Sequence, residues 1–207
     1  MQVKIRYLTV GTWKENAYLV EYNNESVLID PGDSFEELDK YFKEVNSKYI
    51  AILNTHGHFD HIGAVDAFKV KYDLPFYMHS KDKNILYQSN LLRKFAGETG
   101  HIKIPSIDCF LDAQKIFKLN GKQILIHHTP GHSNGSVCFE IDNMLLSGDI
   151  LFKDSIGRTD LPGGNKSLLD QSLLFILDKF EGYQIYPGHG IPFVLSQDII
   201  CNLKALI

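Results

Sequence analysis

The sequence predicts an α/β fold in which two β-sheets pack face to face and helices cover the outside. Three observations carry this: short strand patterns come in runs, helical patterns fall between the runs, and the second half of the chain repeats the scheme of the first. No internal repeat or low-complexity linker is visible, so residues 1–207 are taken as a single domain.

Residues 2–10 and 16–22 alternate apolar and polar, and Ser26–Ile29 is a short apolar run stopped by Asp30-Pro31-Gly32, which together read as a strand meander. In Ser34–Asn46 the apolar residues Phe35, Leu38, Tyr41, Phe42 and Val45 recur at helical spacing, with Ser34 as N-cap and Glu37 completing a capping box. Tyr49–Asn54 is a strand that runs into a histidine cluster. Ile62–Tyr72 reads as a helix, Pro75–His79 as a strand and Lys81–Phe95 as a second helix. In the back half, strands are expected at Gln123–His128, Ser136–Ile141 and Met144–Ser147. A helix near Lys166–Phe180, a strand at Gln184–Tyr186 and a helix from Ser196 follow.

Composition narrows the function classes. An apolar share of 44% and a charged share of 22% are those of an ordinary globular protein. A formal charge of −4 gives no electrostatic reason to expect nucleic acid or an anionic membrane as partner. The first residues carry no leader pattern and no apolar run reaches the roughly 18 residues of a membrane span, so a small-molecule substrate and a cytoplasmic location are expected. The cysteines Cys109, Cys138 and Cys201 are odd in number and widely spaced, which suits a reducing compartment and buried, inert thiols.

The chemistry concentrates in Thr55-His56-Gly57-His58-Phe59-Asp60-His61. Three histidines and one aspartate within six residues would be costly to bury without partners, and they point to metal. In an extended segment His56 and His58 share a face, and a turn into helix at Asp60 aims Asp60 and His61 at a neighbouring position. Gly57 is expected to keep room beside the metal. Four ligands exceed what one tetrahedral centre with an open position can use, so further ligands are expected at other strand ends. Three segments offer them: Pro130-Gly131-His132, Gly148-Asp149 and Pro187-Gly188-His189, each with glycine directly before the ligand.

This order, HxHxDH followed by PGH, GD and GH, resembles the metallo-β-lactamase superfamily over residues 16–190 or so. The resemblance implies an αββα sandwich of two mixed sheets flanked by helices, with the site at one sheet edge. It implies that His56, His58 and His132 hold one metal, that Asp60, His61 and His189 hold a second, and that Asp149 bridges them. Asp60 and Asp149 are the carboxylates assigned a catalytic part. Two divalent ions are expected, zinc first, with iron and manganese compatible with an all-imidazole and carboxylate set. Such a pair lowers the pKa of a shared water toward neutral, and the resulting hydroxide attacks an electrophilic carbonyl.

Within the superfamily, Ser155-Ile156-Gly157-Arg158-Thr159-Asp160-Leu161-Pro162-Gly163-Gly164 resembles glyoxalase II-like hydrolases and the related persulfide dioxygenases. That implies a thioester substrate derived from glutathione, with Arg158 binding a substrate carboxylate. Arg158 pairing with Asp160 or Asp154 to brace its loop is an equal alternative. The chain ends soon after its GHG motif, short of the helical extension that adds glutathione contacts in that family. The runner-up is an iron-dependent persulfide dioxygenase using His56, His132 and Asp149. A binding module merely stapled by metal is disfavoured, because seven ligands over two ions leave room for water and substrate. Asp30 is read either as a carboxylate orienting a ligand histidine or as a turn cap. His79, His127 and His128 are read either as side chains that stand behind the ligands and orient them or as structural, with alternation sending His127 and His128 to opposite faces, and His101 as a loop residue. Tyr18 and Asn16, near the start of the chain, are within reach of the site mouth, though no motif places them there.

Overall fold

The computed structural model describes residues 2–207. Twelve strands and five helices follow in chain order: β1 (Lys4–Val10), β2 (Glu15–Tyr22), β3 (Glu25–Ile29), α1 (Phe35–Phe42), β4 (Lys48–Leu53), α2 (Val65–Tyr72), β5 (Phe76–Met78), α3 (Lys83–Phe95) and β6 (Cys109–Phe110) form the first half. The second half comprises β7 (Ile116–Leu119), β8 (Lys122–His128), β9 (Val137–Ile141), β10 (Met144–Gly148), α4 (Lys166–Lys179), β11 (Gln184–Pro187), β12 (Phe193–Val194) and α5 (Gln197–Lys204). They build two six-stranded sheets, ordered β1-β2-β3-β4-β5-β6 and β12-β11-β10-β9-β8-β7. Both sheets are mixed. β1–β3 are antiparallel and β3–β6 parallel, while β7–β10 are antiparallel, with β10 parallel to β11.

Period-two side-chain alternation explains the layers. In β3, Val27 and Ile29 join Ala51 and Leu53 of β4 in the core between the sheets, where they meet Phe117, Ile124 and Phe139. Leu28 and Ile52 point the other way, onto Leu38 and Phe42 of α1 and Val65 and Phe68 of α2. On the far side Leu145 and Ile185 pack under Leu169, Leu173 and Ile176 of α4 and Ile200 and Leu203 of α5. Three apolar clusters thus separate four layers, as the αββα expectation requires.

Several local readings need correction. Ser34 does not cap α1 with its side chain: it sits in the left-handed region at φ 50°, and its hydroxyl turns to Asp33 Oδ1. α1 ends at Phe42, and α2 begins only at Val65, because Phe59–His61 forms a separate 3-10 turn first. β6, β7 and β12 were not anticipated. Two of them are only two residues long, and β7 holds no more than two turns of the alternation. The cysteines are not all buried. Cys138 is, and burial pushes its thiol up to about 12. Cys109 is half-buried and Cys201 exposed, on the side of α5 away from the core residues Ile200 and Leu203.

The parallel pairs decide where chemistry can occur. β3 and β4 end together in one sheet, β10 and β11 in the other, and the loops after them meet at one edge of the sandwich. Backbone hydrogen bonds tie this edge: Val137 N to Thr55 O at 2.9 Å, Gly188 N to Gly148 O at 2.9 Å, and Asn16 N to Gly188 O at 2.8 Å.

Candidate metal centre

At that edge the four glycine-marked segments converge. Ligand-type atoms of His56, His58 and His132 lie within 4.8 Å of one another, as do those of Asp60, His61 and His189. Asp149 stands between the groups: its Oδ2 is 3.6 Å from His132 Nε2 and 3.4 Å from His189 Nε2, and its Oδ1 is 3.4 Å from His61 Nε2. Asp60 Oδ2 faces His189 Nε2 at 3.3 Å. All seven side chains singled out in the sequence are therefore neighbours, although 133 positions separate His56 from His189.

Their orientation is fixed from behind. His61 Nδ1 faces Asp30 Oδ2 at 3.1 Å, His132 Nδ1 faces the Arg158 carbonyl at 2.9 Å, and His189 Nδ1 faces the Trp13 carbonyl at 3.0 Å. Each partner can only accept, so each Nδ1 carries the proton. His56 Nδ1 lies 3.0 Å from Thr55 Oγ1, whose own proton goes to Asp30 Oδ2 at 2.5 Å, so the hydroxyl again accepts. In these four rings Nε2 is the nitrogen turned inward, toward the centre. His58 differs, presenting Nδ1 to His132 Nε2 at 2.8 Å.

The fit to metal can be judged from atoms left without partners. His56 Nε2, His58 Nε2, His61 Nε2 and Asp149 Oδ1 are buried and make no hydrogen bond. Orphaned buried polar atoms are costly, and three of them, His56 Nε2, His61 Nε2 and Asp149 Oδ1, lie together with the inward-facing His58 Nδ1 in an acceptor-only shell that a cation satisfies. The electrostatics divide the rings: against the effect of burial, Asp149 and Asp60 raise His61 well above the ordinary histidine range and His189 to about 10, so a metal there replaces a proton on each. Burial, reinforced by the neighbouring imidazoles, drives His56 well below the ordinary histidine range and brings His58 to about 3, which keeps both lone pairs available. Burial also opposes the charge on Asp149, yet His61 and His189 outweigh it and hold that carboxyl well below the usual range.

Asp30 orients rather than caps: it takes Thr55 N at 2.7 Å as well as Thr55 Oγ1 and His61 Nδ1, so both oxygens are engaged and neither faces the centre unsatisfied. Gly57 has a different role from the one expected. A Cβ there would meet Asp82 O at 3.1 Å and Leu86 N at 3.3 Å, so it makes room for the start of α3 rather than for a metal. Gly188 is the residue that keeps the centre open, since a Cβ would come within 2.0 Å of Asp149 Oδ1. Arg158 turns its carbonyl to His132, while its guanidinium forks onto Asp160 with two bonds of 2.7 Å. Asn16 and Tyr18 donate to the Pro187 carbonyl at 3.0 and 2.5 Å and brace the His189 loop. His127 pairs with Glu140 at 2.6 Å, and His79 stacks on His128 with centroids 4.3 Å apart, all outside the centre.

Two residues escaped the sequence reading. Asp82 is fully buried and accepts from Gly57 N, Ser133 Oγ and Gly135 N, joining the loops that carry His56–His61 and His132. Glu15 lies 3.9 Å from His61 Nδ1 with both oxygens unpartnered, and burial pushes its carboxyl well up. Neither belongs to a motif. Asp82 resembles any aspartate preceding a helix, and Glu15 opens an otherwise ordinary strand.

The profile of the metallo-beta-lactamase superfamily matches residues 10–189. The chain belongs to that superfamily. Among relatives of this metallo-beta-lactamase fold protein, a probable metallo-hydrolase of Bacillus subtilis, YqgX, is 34% identical over 91% of this chain and 90% of its own. The hydroxyacylglutathione hydrolase GloC of Haemophilus influenzae is 30% identical over 95% of each chain. Among solved structures, the B3 metallo-beta-lactamase BLEG-1 superposes with a TM-score of 0.85 at 37% identity, covering 95% of this chain and 96% of that one. TTHA1623 in a di-iron-bound form gives 0.82 at 38% identity, covering 92% and 94%. This superfamily member is thus a metal-dependent hydrolase, and no helix among its described residues is long and apolar enough to cross a membrane.

Proposed function

We propose that the protein is a thioester hydrolase of the glyoxalase II type, working with two divalent metals. The observation that carries the reading is the acceptor-only shell with Asp149 between its halves. His56, His58 and His132 would hold one ion, Asp60, His61 and His189 the other, and Asp149 both. A metal pair held there supplies Lewis acidity, lowering the pKa of a water and polarising a carbonyl. Zinc fits these ligands, and so do iron and manganese; the di-iron form of TTHA1623 supports iron as a real option.

The chain's own residues account for the rest. Asp30, through Thr55 and His61, holds two imidazoles in the tautomer that leaves Nε2 free. Asp60 and Asp149 place negative charge beside the reacting water. Arg158, at the cleft rim, is the residue available to a substrate carboxylate once it releases Asp160. Few groups near the centre can donate a proton to a leaving group, which suits a thiolate, since it departs without one. The likeness to GloC supports the thioester reading.

Turnover of S-lactoylglutathione by the metal-loaded protein tests it, with His58→Ala as control. Release of free thiol at an enzymatic rate, lost in the variant, is the expected result. Absence of metal-dependent thioester cleavage in the parent would overturn it. Oxygen uptake with a persulfide and a single bound iron would favour the dioxygenase alternative instead.

A further inference from the structure

Beside the centre opens a cleft of about 660 Å³, a volume typical of small-molecule sites. Its metal-side lining includes His58, Asp60, Asp149 and His189, so a substrate reaching those groups must occupy it. The remaining lining is strongly apolar. Trp13, Phe59, Leu92 and Phe95 contribute, and the loop after Asp149 adds Phe152, Ile156 and Leu161.

The aromatic part is built to hold its place. Trp13 packs edge-on against Phe59 with centroids 5.6 Å apart, and its indole Nε1 donates to Glu98 Oε1 at 3.1 Å. Its backbone carbonyl is the acceptor that fixes His189, so the ring and the centre are positioned by one residue. Phe95 ends α3 and is 80% exposed, so its ring is free to pack against a ligand in the cleft.

Charge argues in the same direction. Arg158 is the one Lys or Arg among the described lining residues, and its guanidinium forks onto Asp160. A glutathione moiety brings two carboxylates and an ammonium into the site. Seating it would leave at least one carboxylate without a cation on this lining, and would break the existing Arg158–Asp160 pair to serve the other.

We infer that the cleft selects thioesters bearing an apolar group, an alkyl chain of about six carbons or an aryl ring, over glutathione thioesters. This rests on the thioester reading, and it makes Trp13, Phe95 and Phe152 specificity-determining residues. The apolar group lies against the aromatic side chains while the scissile carbonyl reaches the His and Asp cluster. Each methylene withdrawn from water is worth roughly fourfold in affinity.

Trp13 is the single tryptophan of the chain, so its fluorescence reports cleft occupancy without any turnover. The zinc-loaded protein is titrated with three unreactive thioethers: S-methyl-N-acetylcysteamine, S-hexyl-N-acetylcysteamine and S-methylglutathione. The hexyl compound should bind on the order of a hundredfold more tightly than the methyl one, as expected for partial burial of five added methylenes. S-Methylglutathione should bind no more tightly than S-methyl-N-acetylcysteamine. In Phe95→Ser, whose exposed site puts the fold at no risk, the hexyl-to-methyl ratio should fall about fivefold. A ratio below threefold in the parent, or S-methylglutathione binding more tightly than the hexyl compound, overturns the inference. Acetyl and hexanoyl thioesters of N-acetylcysteamine separate the two readings. Cleavage of both at equal kcat/KM overturns the apolar preference and leaves the thioester reading standing. A strong hexyl preference in the titration without cleavage of any thioester does the reverse.

Discussion

Replacing Asp82 by alanine is expected to destabilise the protein by about 3–5 kcal/mol: three buried donors lose their acceptor at roughly 1–3 kcal/mol each, and relief of the buried carboxyl returns part of that sum. Those donors are Gly57 N, Ser133 Oγ and Gly135 N, and they sit on the two loops that carry His56–His61 and His132. Losing the acceptor therefore loosens the centre as well as the fold. Burial raises the Asp82 carboxyl above its ordinary range although these hydrogen bonds pull the other way, so they offset the cost of placing it there only in part. Asp82→Asn should fall between the two, since an amide accepts through one oxygen only and turns an N–H toward a backbone N–H. Thermal unfolding checks this. For a chain of this length the alanine variant should melt about 10 °C lower. A shift of 2 °C or less would show that the loops hold without Asp82.

Asp149→Ala is expected to lower hydrolytic kcat/KM at least about a thousandfold, on the order of 4 kcal/mol of transition-state stabilisation. Asp149 faces both halves of the centre, lying within 3.6 Å of His132 and 3.4 Å of His61 and His189. Chelation of the parent should produce a comparable loss, and refilling with zinc or iron should reverse it. Activity in Asp149→Ala within tenfold of the parent would place the chemistry elsewhere.

Much of this was legible in the sequence because it depends on local rules. Alternation in 16–22 marked β2 and the short apolar run 26–29 marked β3, where the period of two in any strand sorts Val27 and Ile29 from Leu28. The four segments with His or Asp at strand ends were visible because a dense set of unpaired imidazoles has few uses other than metal. What the sequence hid depends on distance. Asp82 acts on residues 25 to 53 positions away, and Glu15 lies beside His61 only because β2 passes under the loop of Phe59–His61. The character of the cleft was hidden for the same reason. Trp13, Phe95 and Phe152 come from three separate stretches, and each alone reads as an ordinary surface aromatic. Arg158 was visible, but its fork onto Asp160, one of the two partners foreseen for it, needed the folded loop to appear.

Two metal ions per chain is the expectation on which everything else depends, and elemental analysis of the protein purified from its native host measures it directly. A content of two per chain is predicted, falling clearly in His132→Ala and in His189→Ala, each of which removes a ligand from a different half of the centre. A content of one ion or fewer, unchanged by both substitutions, would contradict it.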